Sequence, residues 1–565
     1  MMPAPVTDIN FGLSLEEQCE SIWRATREHE RRQLAMGAAD PVVELFDAEM
    51  RLQFLIRDEL SQGLVLPSND TGTVDLAVPF DSPAGQWLWE EDARIQRGEG
   101  RNANIIIEYC GSRIGGMYDS LDLDLDEETG DQIVTAHFLT DYERLKWYSC
   151  WSNPWFPEWC QWPQVFMVPG PITWILPLML DLQIQREAGS TWALPPDPMD
   201  PAQRGSHDQS TYSMVVRPIS FLEAMASGVL WGIAISRFKN FHDLAKPIMD
   251  DGEVCAEIEI YKEGDPDPWP GANLRPGTRI VSFVDRSGRY SGTAQGGTIF
   301  DGLIQTVEGF LGDMIDSTSA LVTDSSIPPE YYDPTLPPRT QKQLPFVVWR
   351  DGEISGLDRY KYKRTGSKGI QVVTGGHSMP GVNELISAAI QTAGDLIAAA
   401  IVVPPIGGAV DAVLAPLYTD ALFAFMKAVS AARAATQGWT RYFELFSGSA
   451  GNAYTLSSLL VLRAGFWKTR AFDSVQFGAR DAAPFVIGAA GHVWLNDRCG
   501  FTIRGDRTGR IYMDRVSKVE LRWDRQTPPT WVITIGSDED LQDPLAAAWA
   551  KLEEFDGALQ QVGLV

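Results

Sequence analysis

A glycine-rich turn contains the residues of this chain that come nearest to a catalytic motif. Gly375, Gly376, Ser378 and Pro380 lie between a predicted strand and a predicted helix, which is the setting of a hydrolase nucleophile elbow with its exposed serine. Pro380 replaces the last glycine of that motif, and His492 is the only histidine downstream that could act as the base. Because the parallel sheet of such enzymes is not predicted either, the pattern favours Ser378 as a helix N-cap in a tight turn. The acid of a triad would have to be Asp411, Asp420, Asp473 or Asp481.

Three aspartates, Asp122, Asp124 and Asp126, alternate with leucines. They begin like a calcium loop, but Glu127 stands where that loop requires a glycine. A solvated strand edge is therefore favoured over a metal site. On a strand, the alternation places the leucines on a buried face and the carboxylates on a strongly acidic face, before a turn at Glu127–Gly130.

Tryptophans are concentrated in the segment that follows the first group of predicted strands. The first four recur at every fourth position, but Pro154 and Pro157 exclude one continuous helix through them. Such a group has three interpretations: part of a core, a subunit interface anchored by large rigid rings, or a carbohydrate platform. The candidate interface residues are Trp147, Trp151, Trp155, Trp159 and Trp162.

Other signatures of enzymes and cofactor-binding proteins do not occur in the sequence. The six histidines are far apart and form no H-E-x-x-H pattern. The six cysteines include no C-x-x-C pair, and there is no G-x-x-x-x-G-K-[ST] phosphate loop. The sequence therefore predicts no metal, no cofactor and no enzymatic activity.

The composition is strongly acidic. With 565 residues and a formal net charge of −28, the chain is poorly suited to wrapping DNA or docking on an anionic membrane, since both need clustered Lys and Arg. Such a charge suits either a soluble acidic surface or a lumen that DNA traverses without sticking. Glu16, Glu17 and Glu20 occupy the place where a signal peptide needs an apolar core, so we expect synthesis in a cytoplasm.

The elements that position these residues predict an α+β, β-rich fold. Ser14 and Glu17 form a capping box that begins a helix over residues 14–36. Alternating apolar residues then predict strands that would form one antiparallel barrel or sandwich. These strands are Val43–Asp47, Val74–Val78, Ile105–Tyr109 and Ile133–Phe138.

Five segments follow from the element pattern and from the Pro-rich and Gly-rich connections between elements. Two β units flank a mixed middle and an apolar helical segment. The segments are an N-terminal helix (1–40), a first β unit (41–150), an aromatic-rich mixed α+β unit (151–340), strands with an apolar helical hairpin (341–470), and a second β unit with a C-terminal helix (471–565).

The apolar stretch 385–425 is interrupted by Asp395, Asp411, Asp420 and the Pro404-Pro405 pair, so no uninterrupted span of about 18 residues remains. A broken helical hairpin therefore fits better than a membrane crossing. Its apolar residues exceed what one amphipathic face needs, so we expect other parts of an assembly to bury it. Contact with a host membrane is the alternative.

Several short blocks occur in a characteristic order along the chain. They are the 41–150 stretch, Ser236–Phe241, Asp267–Ala272, Pro329–Tyr332, Gly375–Glu384, Asp481–Pro484, Asp514–Val516 and Trp531–Gly536. Together they resemble the tail-hub class of minor tail proteins of actinobacteria-infecting siphophages, which are similar to the baseplate hub proteins of contractile phages.

The resemblance implies a structural protein of the virion, at the tail tip, in which both β units are barrels like those of the tail tube. It implies a homotrimer whose six barrels match a six-fold tube. Its implied partners are the distal tail protein ring, the tape measure protein and other minor tail or receptor-binding proteins. Asp122, Asp124 and Asp126 would then be candidates to line the central opening, where carboxylates repel DNA phosphates and DNA passes without specific binding.

We therefore predict a tail-tip hub that joins the tail tube and distal tail ring to the receptor-binding apparatus and forms part of the DNA exit channel. Two alternatives remain open. One is a tail-associated serine hydrolase or other cell-wall-degrading enzyme acting through Ser378. The other is a carbohydrate-binding receptor protein that uses the tryptophan segment.

Overall fold

The computed structural model describes residues 12–286, 319–320, 347–351, 357–375, 425–446 and 462–536, with short gaps inside these ranges. The first element is a long helix, α1 (Leu15–Gly37). Its start follows the predicted capping box: Glu17 N donates to Ser14 Oγ at 3.4 Å, and Ser14 N donates to Glu17 Oε2 at 3.0 Å. Leu15, Ile22 and Trp23 of α1 are exposed to solvent.

The first β unit contains seven strands and two short helices. The four strands predicted from alternation are present, and the alternation is also seen in burial: Val134, Ala136 and Phe138 of one strand are fully buried, while the residues between them are partly exposed. The elements are β1 (Val42–Phe46), β2 (Leu52–Ile56), β3 (Ser61–Pro67), β4 (Thr73–Pro79), α2 (Pro83–Trp89), α3 (Glu91–Gln96), β5 (Asn104–Tyr109), β6 (Ser112–Leu125) and β7 (Gln132–Thr140).

A mixed α+β unit follows, built around one central helix, α4 (Ile172–Ala188), which is buried on most of its surface. Strands and helices surround it in a separate apolar core. The remaining elements of this unit are β8 (Ser149–Cys150), β9 (Phe166–Pro171), α5 (Pro201–Arg204), β10 (Met214–Val216), α6 (Phe221–Ala226), β11 (Trp231–Ser236), β12 (Lys239–Asn240), α7 (Phe241–Gly252), β13 (Val254–Ile260) and β14 (Arg279–Asp285), with 3₁₀ helices at Asp141–Trp147 and Thr191–Ala193.

The rest of the described chain adds strands and one short helix. The apolar stretch 385–425, but for Phe425 in β19, and the predicted C-terminal helix lie outside the described residues. The elements are β15 (Ser319–Ala320), β16 (Val347–Arg350), β17 (Leu357–Thr365), β18 (Gln371–Gly375), β19 (Phe425–Val429), α8 (Ala431–Gln437), β20 (Glu444–Phe446), β21 (Phe472–Arg480), β22 (Arg498–Thr502), β23 (Ile511–Asp524) and β24 (Thr530–Ile535).

The two β units form one continuous sheet. β3 pairs with β4 on one side and with β23 on the other, with Leu64 opposite Leu521. The result is a 14-stranded sheet with the main order β17-β21-β24-β23-β3-β4-β7-β6-β5-β1-β2, and both units contribute side chains to one core. We call this sheet and its core the β platform.

The expectation of two separate barrels is not confirmed, because no pairing among the described strands closes the sheet from β17 to β2. The physical reason lies in β3, which was not predicted as a strand. Gly63 has low strand propensity and interrupts the alternation, yet the backbone of β3 pairs with β4 of its own unit and with β23 of the second unit. The fold is β-rich and α+β, as predicted.

Candidate functional site

The tryptophans of residues 147–162 lie at the surface of the mixed unit. Trp147 and Trp159 are 81% and 80% exposed, and Trp162 is exposed to a similar degree. Trp155 is also exposed and Trp151 is half-buried, and both rings contact the rest of the unit. Trp155 Nε1 donates to the Thr191 carbonyl at 3.1 Å, and the Arg186 guanidinium carbon lies 4.0 Å from the Trp151 ring centroid. We call Trp147, Trp155, Trp159 and Trp162 the tryptophan surface.

The backbone that carries these rings is held by a dense set of hydrogen bonds. Gln161 Oε1 accepts from Asn153 N at 2.8 Å and from Ser152 Oγ at 3.0 Å, while Gln161 Nε2 donates to the carbonyls of Phe156 and Pro157 at 3.0 Å each. Because the loop is already ordered, contact with a partner costs less conformational entropy than ordering a mobile segment. The core interpretation does not hold for the three most exposed tryptophans within this chain.

A sixth tryptophan belongs to the same region and was missed from the sequence. Trp192 is exposed, and it directly follows Thr191, whose carbonyl accepts from Trp155. The predicted spacing of four residues ends at Trp159, so the pattern gave no reason to include a residue more than 30 positions further on. Only the tertiary fold brings Trp192 beside the segment.

The acidic strand face holds a histidine between two carboxylates. His137 on β7 has its Nδ1 at 2.7 Å from Asp75 Oδ1 of β4 and its Nε2 at 3.1 Å from Asp122 Oδ2 of β6. The hydrogen bond to Asp75, followed by that to Asp122, raises the pKa of His137 above its usual range. Asp124 is exposed on the same strand as Asp122, and Asp126 lies outside the described residues.

The leucine face of this hairpin differs from its prediction. Leu121 packs partly against the platform core, but Leu123 and Leu125 are exposed. β6 is 14 residues long, so its far end extends past the core that would cover it. The expected buried face is therefore correct for Leu121 alone within this chain.

The hydrolase-like residues are only partly described. Gly375 ends β18, while Gly376, Ser378 and Pro380 lie outside the described residues, as do Asp411, Asp420 and Asp481. His492 Nδ1 accepts a hydrogen bond from Val486 N at 3.0 Å, so this nitrogen is already bonded to the backbone of its own loop. Within the described part of the chain, no group of acidic, histidine or cysteine side chains is arranged to hold a metal ion.

A cleft of about 940 Å³ lies between the β platform and the mixed unit. Charged residues of its walls form ion pairs across the junction: Arg113 Nη1 lies 2.6 Å from Asp265 Oδ2, and Glu108 Oε1 lies 2.8 Å from Nζ of Lys262. These pairs hold the two units together.

No described helix has the length and apolarity needed to cross a membrane.

Asp70 lies at the same junction, in the turn between β3 and β4. Lys146 Nζ is 2.8 Å from Asp70 Oδ1, and Lys246 Nζ is 3.1 Å from Asp70 Oδ2. Burial on its own would raise the pKa of Asp70, but the hydrogen bonds from Lys146 and Thr71 N and the charge of Lys246 lower it to about 2. The carboxylate therefore links the platform to two elements of the mixed unit.

Comparison with known proteins gives matches over most of the chain. Residues 42–537 match the family described as Siphovirus ReqiPepy6 Gp37-like protein. The minor tail protein Gp28 of Mycobacterium phage D29 is 28% identical over 604 residues, and that of Mycobacterium phage L5 is 29% identical over 611 residues. Each alignment covers 98% of this chain and 100% of the relative.

Solved structures of two tail proteins also match most of the chain, at lower sequence identity. The prophage tail protein gp18 from Listeria monocytogenes EGD-e gives a TM-score of 0.40 at 10% identity, covering 91% of this chain and 100% of that one. The tail protein from Neisseria meningitidis MC58 gives a TM-score of 0.39 at 8% identity, covering 88% and 97%.

Proposed function

The chain belongs to the Siphovirus ReqiPepy6 Gp37-like protein family, and on this basis we propose that it is a structural minor tail protein of a siphophage virion, located in the tail. The observation that carries the proposal is the extent of the similarity. The family match covers residues 42–537, and two relatives named as minor tail proteins align over their whole length. The architecture supports it, since one β platform makes a rigid scaffold with exposed aromatic surfaces around it.

Within the tail, we assign the protein to the hub of the tip, where it joins the tube and its distal ring to the receptor-binding apparatus. A homotrimer would let each copy present both halves of its platform around a three-fold axis. The exposed edge of the platform supports contact between molecules. Leu52 and Leu55 on edge strand β2 are exposed, and an edge strand with exposed apolar side chains is a template for pairing with another chain.

The tryptophan surface is the candidate contact between copies or with a neighbouring tail protein, such as the distal ring or another minor tail protein. Large aromatic rings in an ordered loop contribute most of the binding energy in many interfaces. Exposed tryptophan rings could also bind a carbohydrate, and this alternative can be tested directly. Quenching of tryptophan fluorescence by host glycans, lost in Trp159→Ala, would favour a receptor-binding role over assembly.

The acidic strand face is the candidate wall of the DNA exit channel. Asp75, Asp122 and Asp124 lie on one face of adjacent strands with His137 between the first two. Exposed carboxylates repel phosphates at short range, so DNA would slide past this face. Replacing Asp124 with Lys should slow DNA ejection most at low salt, and unchanged ejection would place this face on the outside of the tip.

We assign no catalytic role to Ser378. The relatives are named as minor tail proteins, and His492 Nδ1 is bonded to its own loop. Ser378→Ala should therefore leave assembly and infection unchanged. Labelling of Ser378 by a fluorophosphonate probe, absent from the alanine variant, would support the hydrolase alternative instead.

The assembly experiment uses phage particles and purified protein in parallel. The mass of the native complex should equal three chains, and the double variant Trp147→Ala with Trp159→Ala should lower the fraction of complete tails by ten-fold or more. Leu222→Ala on α6 is the matched control, because Leu222 is also a large exposed apolar side chain of the mixed unit. A monomeric wild-type protein would contradict the trimer, and a double variant that assembles into complete tails would contradict the contact role of the tryptophan surface.

A further inference from the structure

An aromatic loop protrudes beside the small sheet formed by β18, β19 and β20. α8 ends at Gln437 and is followed by Gly438, whose positive φ of +69° is a conformation that glycine adopts without strain. This residue turns the chain out of the helix, and Trp439, which follows it, is 97% exposed. Tyr442 and Phe443 are also exposed. We call residues 439–443 the aromatic loop.

The loop is fixed to the sheet by its backbone. Ile370 N donates to the Tyr442 carbonyl at 3.1 Å, and Gln371 N donates to the Phe443 carbonyl at 3.2 Å. The preceding helix also holds the loop, because Tyr442 N donates to the side-chain Oε1 of Gln437 at 3.1 Å. The exposure of the rings is therefore built into an ordered structure.

The outward face of the small sheet extends the aromatic loop. Val372, Ala428 and Leu445 face the other side, where they pack with Phe466. Because side chains alternate along a strand, their neighbours in sequence point outward. Two of these, Val429 and Phe446, are exposed apolar residues.

The local charge is opposite to that of the whole chain. Between residues 425 and 446 the sequence has Lys427, Arg433 and Arg441 against the single acidic residue Glu444, in a chain whose net charge is −28. Glu444 Oε2 accepts a hydrogen bond from Gln371 Nε2 at 2.6 Å. Arg433 is buried, whereas Arg441 is exposed within the aromatic loop and Lys427 is exposed on β19. The loop therefore combines apolar rings with positive charge.

We propose that the aromatic loop inserts into the headgroup region of an anionic phospholipid bilayer. Trp and Tyr rings prefer the membrane interface, where one end is apolar and the other wet, and exposed Lys and Arg are attracted to anionic headgroups. Arg441 lies in sequence between Trp439 and Tyr442, which places a positive charge beside the rings, where anionic headgroups would meet it. The binding is peripheral and does not require a membrane-spanning helix.

The test is flotation of the full chain with vesicles of phosphatidylcholine, with and without phosphatidylglycerol. Wild-type protein should float with the anionic vesicles and less with the neutral ones, and added salt should weaken its binding. Trp439→Ala with Tyr442→Ala should lower the bound fraction about ten-fold or more. Arg441→Glu should lower it on anionic vesicles only, also by about ten-fold.

α1 offers a matched pair of control residues. Trp23 is exposed, and the guanidinium carbon of Arg27 lies 5.6 Å from its ring centroid, so Trp23→Ala and Arg27→Glu remove the same chemistry elsewhere. Both should leave flotation unchanged, and thermal unfolding should show all variants folded. Equal losses in these controls, or wild-type protein that does not float, would overturn the proposal.

Membrane binding by the aromatic loop is a property separate from the proposed role in the tail. Vesicle binding is measured on isolated protein, so its absence leaves the assignment as a minor tail protein intact. A different result would be that Trp439→Ala blocks tail assembly while wild-type protein does not bind vesicles. In that case the aromatic loop would contact another protein, and the lipid proposal would be wrong.

Discussion

Tryptophans of the β platform and of the tryptophan surface have opposite environments. Trp531 on β24 is fully buried, with its ring centroid 5.2 Å from that of Trp494 and 5.8 Å from that of Tyr109. Trp147 and Trp159 are about four-fifths exposed. The first group stabilises the chain itself, while the second leaves its apolar area for contact with another molecule.

The difference comes from the backbone that carries each ring. On β24, Trp531, Ile533 and Ile535 recur at every second residue and are all buried, because alternate side chains of a strand share one face. The tryptophan segment has a spacing of four, which would form one face only on a helix. Pro154 and Pro157 prevent that helix, so the spacing places no common face toward the core.

The largest expected effect is on the platform. Trp531→Ala removes a fully buried ring from a core shared by both β units and should lower the free energy of unfolding by about 3–5 kcal/mol. Urea denaturation of the purified chain measures it. Trp159→Ala should change the same quantity by less than about 0.5 kcal/mol. Comparable losses in the two variants would show that Trp159 also packs within its own chain.

A buried ion pair extends the comparison from aromatic to charged residues. The Arg204 guanidinium and the Asp181 carboxylate are both buried in the mixed unit, with Arg204 Nη1 donating to Asp181 Oδ2 at 2.8 Å. Asp181→Ala leaves an unpaired buried cation and should cost about 3 kcal/mol. Adding Arg204→Met to that variant should restore most of the loss in urea denaturation. No recovery would mean that Asp181 acts through other contacts.

The junction between platform and mixed unit should show an intermediate effect that depends on pH. The pKa of Asp70 is about 2 in the folded chain, below its ordinary value of 3.8. Its contribution is therefore complete above about pH 4 and lost as the pH falls through 2. Since the side chain is about one-third exposed, we expect only about 1 kcal/mol.

Asp70→Asn tests this directly. Its free energy of unfolding should be about 1 kcal/mol lower than that of the wild type at pH 5, and the difference should shrink as both proteins are measured toward pH 2. A constant difference across this range would show that the loss arises from packing and not from the charge of Asp70.

The smallest expected effect on stability belongs to the tryptophan surface. Trp147→Ala with Trp159→Ala should leave the free energy of unfolding within about 0.5 kcal/mol of the wild type, although tail assembly should fail. Urea denaturation and electron microscopy of tails give the two measurements. A clear loss of stability in the isolated chain would show that these rings pack within their own molecule.

Local patterns in the sequence determined the type of many elements. A capping box began α1, and two-residue alternation located β1, β4, β5 and β7, because caps and alternation act between residues close in sequence. The family resemblance was confirmed by the match over residues 42–537. The tryptophan segment was selected as a candidate surface, but its spacing did not show which rings would be exposed.

Only the tertiary structure decided how the β units combine. β3 pairs with β23, and nearby Trp523 Nε1 donates to Glu59 Oε1, 464 positions away in sequence. The exposure of Leu123, Trp192 and Trp439 was fixed in the same way. Burial and strand pairing depend on which distant surfaces meet, whereas propensity and periodicity describe only a residue and its near neighbours.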